Sequence, residues 1–195
     1  RMLEEALKTN PSSVSAYVLG AEIALDEGRR DDAKASLRKA LDVNPNSLEA
    51  RALDAAIAFL ESRTNDFTAQ VAEILKINPR YGEVYRLARE VASHNYKYIE
   101  AADFSKRAVA IDPDSPRAFA ALGLQLLRTG DEPGARVALE RAFKGDPFDV
   151  VTYNLLSMMD SLDKFVTVRD GDVVMRFSPD EAAVMREYAV PFAKQ

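Results

Sequence analysis

The chain contains no cysteine and one histidine, His94. Disulfides and thiolate metal sites are excluded, and the redox compartment stays open. A metal site would have to be built almost wholly from carboxylates. With one histidine, no Ser/His/Asp arrangement is indicated. The eight glycines are scattered and never form a G-x-x-x-x-G-K loop, so no phosphate cradle is expected. No apolar run approaches the roughly 20 residues needed to span a bilayer. The net charge is −5 and the pI is near 5.1. That argues against a broad nucleic-acid or anionic-membrane surface, which needs clustered Lys and Arg. The expectation is no catalysis within the chain, no metal, no cofactor, no nucleic acid and no membrane.

What is present can fold. The chain is 47% hydrophobic and 29% charged, enough to bury a core and not disordered by composition. Five prolines, Pro11, Pro45, Pro79, Pro113 and Pro147, stand 34 residues apart, each preceded by Asn or Asp. A fixed period of this length predicts an all-α solenoid of helical hairpins. Such a fold offers a binding surface and carries no chemistry of its own. The units run 14–47, 48–81, 82–115 and 116–149, with residues 1–13 as half of an earlier unit and 150–163 as a capping helix. The fourth is the cleanest: Phe119, Leu122, Gly123, Leu126, Gly130, Ala135, Leu139, Ala142 and Pro147 fall at unit positions 4, 7, 8, 11, 15, 20, 24, 27 and 32. The large residues form a helical stripe. The small ones mark close crossings. Gly130 suits a left-handed turn after the first helix, and Pro133 suits the first turn of the second.

This pattern resembles the tetratricopeptide repeat family over about residues 1–163. The first unit matches through Tyr17, Ala21, Gly28, Ala33, Leu37, Ala40 and Pro45. The third matches through Tyr85, Ala101, Ala108 and Pro113, but carries Arg89 at position 8 and Tyr96 at position 15. The second departs with Arg51 at position 4 and Phe67 at position 20, where a wider helix crossing is expected. The resemblance implies a right-handed superhelix whose concave groove is lined by first-helix positions 2, 5, 9, 12 and 13. Those places are held by Val18, Glu22 and Leu25 in the first unit and by Phe59 and Leu60 in the second. Arg86, Glu90 and His94 follow in the third, then Arg117, Leu124, Leu127 and Arg128 in the fourth. The Lys/Asn clamp by which some members hold a peptide carboxylate is absent. The apolar stripe of Phe59, Leu60, Leu124 and Leu127, edged by both charge signs, suits an amphipathic helix, a partner protein or a domain docked in cis. The blander reading is that these residues only meet neighbouring helices. His94 reads as a solvent-edge or groove residue at a helix C-terminus. Arg29-Arg30-Asp31-Asp32 reads as a solvated turn, and Met158, Met159, Met175 and Met185 as packing.

After Pro147 the pattern changes. Val150 to Leu162 reads as one more helix. Residues 165–177 around Asp170-Gly171 read as a β-hairpin. Ser178, Pro179 and Glu181 read as the capped start of a last helix. Apolar residues are expected on both hairpin faces: Val166, Val168, Val173 and Met175, then Phe165, Thr167, Val174 and Phe177. An uncovered edge of that kind predicts self-association, as a homodimer through 165–195. Tyr153-Asn154-Leu155-Leu156, Leu162 to Phe165, Gly171, Arg176-Phe177 and Glu181-Ala182 also resemble the junction into a peptidase MA-like (gluzincin) domain of bacterial tetratricopeptide proteins. That resemblance implies a zinc motif downstream of Gln195, with 164–195 the start of a following domain and the chain inactive alone. The chain opens on Arg1, so it is expected to be a fragment. The compartment, cytoplasmic or periplasmic, stays open.

Overall fold

A computed structural model describes residues 2–193. α1 (Met2–Thr9) precedes four hairpins. They are α2 (Val14–Asp26) with α3 (Arg30–Val43), α4 (Leu48–Leu60) with α5 (Thr64–Ile77), α6 (Glu83–His94) with α7 (Tyr98–Ile111), and α8 (Pro116–Arg128) with α9 (Glu132–Gly145). α10 (Val150–Leu162), strands β1 (Val166–Asp170) and β2 (Val173–Phe177), and α11 (Ala182–Phe192) complete the described chain.

The proline period has a local cause. The Oδ1 atoms of Asn10, Asn44, Asn78 and Asp146 accept the amide two residues on, from Ser12, Asn46, Arg80 and Phe148. These turns end one helix, and the proline that follows the Asn or Asp cannot continue it. Ser13, Ser47 and Ser115 then cap α2, α4 and α8 by accepting from Ala16, Ala50 and Ala118. Asp149 caps α10 in the same way. The third unit has Tyr81 where the others have this cap, and α6 starts at Gly82 with no side-chain cap. The turn inside each hairpin needs a left-handed residue at position 15. Gly28 and Gly130 supply it freely, with φ 75° and 82°; Ser62 and Tyr96 adopt it as non-glycines, with φ 60° and 59°.

Within a hairpin, position 8 of the first helix faces position 24 of the second. In the fourth unit a Cβ on Gly123 would stand 2.5 Å from Leu139 Cγ, so only glycine fits there. Ala21 with Leu37 and Ala55 with Val71 repeat this small-against-large scheme, all buried. The third unit exchanges the sizes, with Arg89 at position 8 and Ser105 at position 24.

That exchange coincides with a division of the core. One cluster runs from Val18 through Leu53 and Ile74 to Leu87 and Phe104. A second joins Ala102, Leu122, Leu126, Leu139 and Met159. α7 serves both, with Ala101 and Phe104 on one side and Ala102 and Val109 on the other. Ala52, Ala55 and Ala56 of α4 are fully buried, and α4 packs closely on α6. The alanines of α8 (Ala118, Ala120 and Ala121) stay half-exposed, and α8 takes its neighbours from α7 and α9. Phe67 is 5% exposed and sits among rings, 5.8 Å from Phe59 and 5.3 Å from Phe104 between centroids.

The tail corrects two expectations. Pairing Val166 with Phe177, Val168 with Met175 and Asp170 with Val173 puts Val166, Val168, Val173, Met175 and Phe177 on one face. Phe177 therefore joins the apolar set, and the other face carries Thr167, Arg169, Val174 and Arg176. The alternation is cleaner than expected, because residues two apart in a strand share a face and the pairing matches Val173, Met175 and Phe177 with Asp170, Val168 and Val166. α11 packs on both strands. It begins at Ala182, not Pro179, because Ser178 to Glu181 form a turn in which the amides of Glu181 and Ala182 both donate to the Ser178 carbonyl. Arg176 donates to both carboxylate oxygens of Glu132, at 2.8 and 2.7 Å, tying the hairpin to the start of α9.

Candidate functional site

The first helices α2, α4, α6 and α8 carry the residues expected to line a groove, and they divide into three groups. Val18 is 2% exposed and belongs to the core, so it offers no surface. Leu25, Phe59 and Leu127 are half-buried against the two cores. Phe59 is further covered by Lys97, whose ammonium lies 4.9 Å from the ring centroid. Leu60 and Leu124 are half-buried, and His94, Arg117 and Arg128 are exposed. Arg128 lies over the Tyr98 ring at 5.3 Å and donates to the Ser93 hydroxyl, bridging α8 to α6 near their C-terminal ends.

Charge on this face is continuous across three units. Burial holds the Glu22 carboxyl above its ordinary range, and Glu49, Glu90 and Asp26 add to that by repulsion while Arg86 opposes it. Burial likewise pushes the Tyr81 phenol up to about 12, helped by Glu83 and Glu49. Glu22, Glu49 and Glu90 come from three different units and share one field. Arg86 is anchored in it: its Nε donates to Glu83 at 2.6 Å and its Nη1 to Glu90 at 2.5 Å. These bonds hold its charge more firmly than usual, against the cost of burial.

At the junction of α6, α7 and α8 the face opens into a cavity of about 520 Å³. Arg86, Arg89, Arg117, Ala120, Leu124 and Ser105 are among its walls, together with Arg80, Tyr81 and Asp149. Arg89 is the unusual member. Its side chain is 15% exposed, and Nη2 donates to Glu90 at 3.0 Å. Burial pulls its pKa below the ordinary guanidinium value, and nearby Arg86 and Arg117 act in the same direction. Arg89 was legible in the sequence as a departure at position 8; Ser105 at position 24, its counterpart, was missed although the repeat period marks it. The inference that two exchanged sizes leave a cavity needed the helices in place. Tyr81, which replaces a capping serine, carries no comparable sequence signal.

Among the described residues no three His, Asp or Glu side chains gather as a metal site, and no helix is long and apolar enough to cross a membrane. No family model matches the chain, and no curated protein matches it. Solved structures do. The chain is similar to TTC0263, described as a thermophilic TPR protein in Thermus thermophilus, with 20% identity over 82% of this chain and 88% of that one and a TM-score of 0.61. It is also similar to MamA, with 20% identity over 74% and 85% and a TM-score of 0.46. YrrB, described as a TPR protein with an unusual peptide-binding site, shows 17% identity over 84% and 90% and a TM-score of 0.44. The likeness to TTC0263 shows the fold of the repeats, a tetratricopeptide solenoid of helical hairpins; the small β-hairpin and helix that follow are seen in the structure itself.

Proposed function

We propose that the face formed by α2, α4, α6 and α8 docks a protein or peptide segment, making the chain an interaction scaffold. One observation carries this reading. The half-buried Glu22 carboxyl has its pKa raised first by burial and then by Glu49 and Glu90, carboxylates from the next two first helices. Glu22 and Glu90 are half-buried and Glu49 is exposed, so stacking leaves these groups reachable, whereas residues that only met neighbouring helices would be covered. Half-buried Leu60 and Leu124 and exposed Arg117 extend the same face toward the fourth unit. The mix of apolar and charged groups suits a segment with an apolar stripe and both charge signs.

The test is position-resolved crosslinking of the full chain. A photoreactive residue at Leu124 or Leu60 should give discrete adducts with a partner. The same group at Val137, 69% exposed on α9, should not. Equal yields at both faces would overturn the reading.

The segment after α10 supports a second reading. α11 exposes Val184, Tyr188 and Phe192, the last 78% exposed, which fits cover by a domain in cis, as in a bacterial metallopeptidase braced by its repeats, or by a second copy. Arg176 bound to Glu132 fixes this segment to the repeats, as a brace requires. Light scattering of the full chain and of one ended at Asp163 separates these outcomes. A dimer that becomes a monomer on shortening supports the second copy. Monomers in both cases exclude it and leave the domain in cis.

A further inference from the structure

We infer that the cavity between α6, α7 and α8 binds a peptide carboxylate carried beside an apolar side chain, held between Arg89 of the third unit and Arg117 of the fourth. This deepens the docking role proposed above and rests on it.

The inference begins with an underserved guanidinium. Arg89 has five N–H donors in a fixed fork, and Nη2 to Glu90, at 3.0 Å, is the one side-chain bond it makes among the described residues. Glu90 is shared, because its other oxygen already accepts from Arg86. One carboxylate therefore serves two arginines, and Glu83 is also spent on Arg86. Burial without full compensation is costly for a cation. Arg89 thus sits in the wall with Nε and Nη1 bonded to no other group among the described residues and not sealed off, where an incoming carboxylate would meet them. Across the cavity Arg117 has no ion pair or hydrogen-bonded partner among the described residues, and it is near enough to disfavour the Arg89 charge. Two guanidiniums that repel one another and share an opening are both relieved by one anion.

The acids on the wall do not fill that role. Glu83 is held by Arg86, and Asp149 is occupied by the Val151 and Thr152 amides and the Thr152 hydroxyl. Asp112, at the end of α7, shares its wall with a further cation, Arg80. Ser105 donates to the Ala101 carbonyl at 2.9 Å, so it is satisfied and leaves space. The remaining wall is apolar, from Tyr81, Ala108, Ala121 and Leu124. A volume of about 520 Å³ exceeds one side chain and suits two or three adjacent ones. Apolar walls around a paired cation favour a carboxylate on an alkyl stem over a hydrated phosphate.

The probe is an N-acetylated, C-amidated Leu-Leu-Glu-Leu-Leu peptide, titrated calorimetrically into the full chain. Its Gln counterpart should bind about tenfold more weakly, as expected for losing a charged hydrogen bond. Arg117→Ala should cost about tenfold for the Glu peptide and leave the Gln peptide unchanged. Arg89→Gly with Ser105→Leu restores the small-against-large pair, should keep the fold, and should abolish the preference for Glu. Arg30→Ala, exposed and outside the cavity, should change nothing. A peptide ending in Leu with a free carboxylate separates the sources: tighter binding than the Glu peptide assigns the site to a chain terminus, weaker binding to a side chain. Equal binding of Glu and Gln peptides overturns the inference but leaves the docking face standing. So does competition by inorganic phosphate as strong as by the Glu peptide. Binding of neither peptide at millimolar concentration also overturns it, and crosslinking at Leu60 then decides independently whether the docking role survives.

Discussion

The step from α4 to α6 and the step from α6 to α8 use the same repeat and end differently. At the first, α4 presents Ala52, Ala55 and Ala56, all fully buried, and α6 closes on them. At the second, Ala118, Ala120 and Ala121 of α8 are equally small, yet they face a cavity walled by Arg86 and Arg89. Small residues permit a close approach but do not cause one. What stands opposite decides, and a half-buried guanidinium that must keep its partners holds two helices apart more effectively than a bulky apolar group. Phe67 makes the same point from the other side. It also breaks the small-residue rule, but its ring is absorbed by Phe59 and Phe104 and is 5% exposed.

The strongest way to break this comparison is to install the arginine where the helices are closed. Ala55 is the position-8 counterpart of Arg89, is fully buried, and faces Val71 rather than a serine. Ala55→Arg should cost about 3–5 kcal/mol, the usual scale for an uncompensated buried charge. Adding Val71→Ser should recover part of it. Chemical denaturation measures both, and an Ala55→Arg chain as stable as the parent would refute the account of why the second junction opens. Overpacking without charge should do less. Ala135→Leu, at a fully buried crossing of α8 and α9, should cost about 1–3 kcal/mol. A melt unchanged within error would show that the assigned register is wrong.

The reverse experiment should stabilise. Arg89→Gly with Ser105→Leu removes a partly served cation and adds a large residue where Leu37 and Leu139 serve in other units. The expected gain is about 1–2 kcal/mol, typical of combined cavity-filling changes. Ser105→Leu alone should gain less, because Arg89 still occupies the opposite place. A double variant less stable than Ser105→Leu alone would mean that Arg89 supports the junction instead of opening it.

Much of the fold was legible because its determinants are local. The proline period and the Asn or Asp before it act within a few residues, so their spacing was enough to indicate an all-α solenoid of helical hairpins. The groove was less legible. Val18 and Leu124 occupy equivalent kinds of position, yet one is buried in the core and the other lines the cavity. That difference depends on how successive units close, which is a pairwise property of helices 34 residues apart in sequence. The hairpin faces were legible too: Phe177 lies two residues from Met175 and shares its face by strand alternation, so its expected place with Thr167 and Val174 was wrong on local grounds.

The smallest effect concerns the turns that set each hairpin's angle. Gly28 and Gly130 close the two well-formed units, while Ser62 and Tyr96 hold the same left-handed conformation in the units on either side of the closed step. A non-glycine there costs about 1–2 kcal/mol, and glycine returns roughly 0.5–1 kcal/mol of that as unfolded-state entropy. Ser62→Gly should therefore stabilise by about 0.5 kcal/mol. Tyr96→Gly should gain less, because the Tyr96 ring, although 81% exposed, meets Tyr98 edge-on at 6.1 Å. Such pairs contribute about 0.5–1.5 kcal/mol when well formed and less at an exposed site. Gly28→Ala should move the other way by about 1 kcal/mol. If Ser62→Gly were instead destabilising, the left-handed turn would not be the constraint shared by all four hairpins.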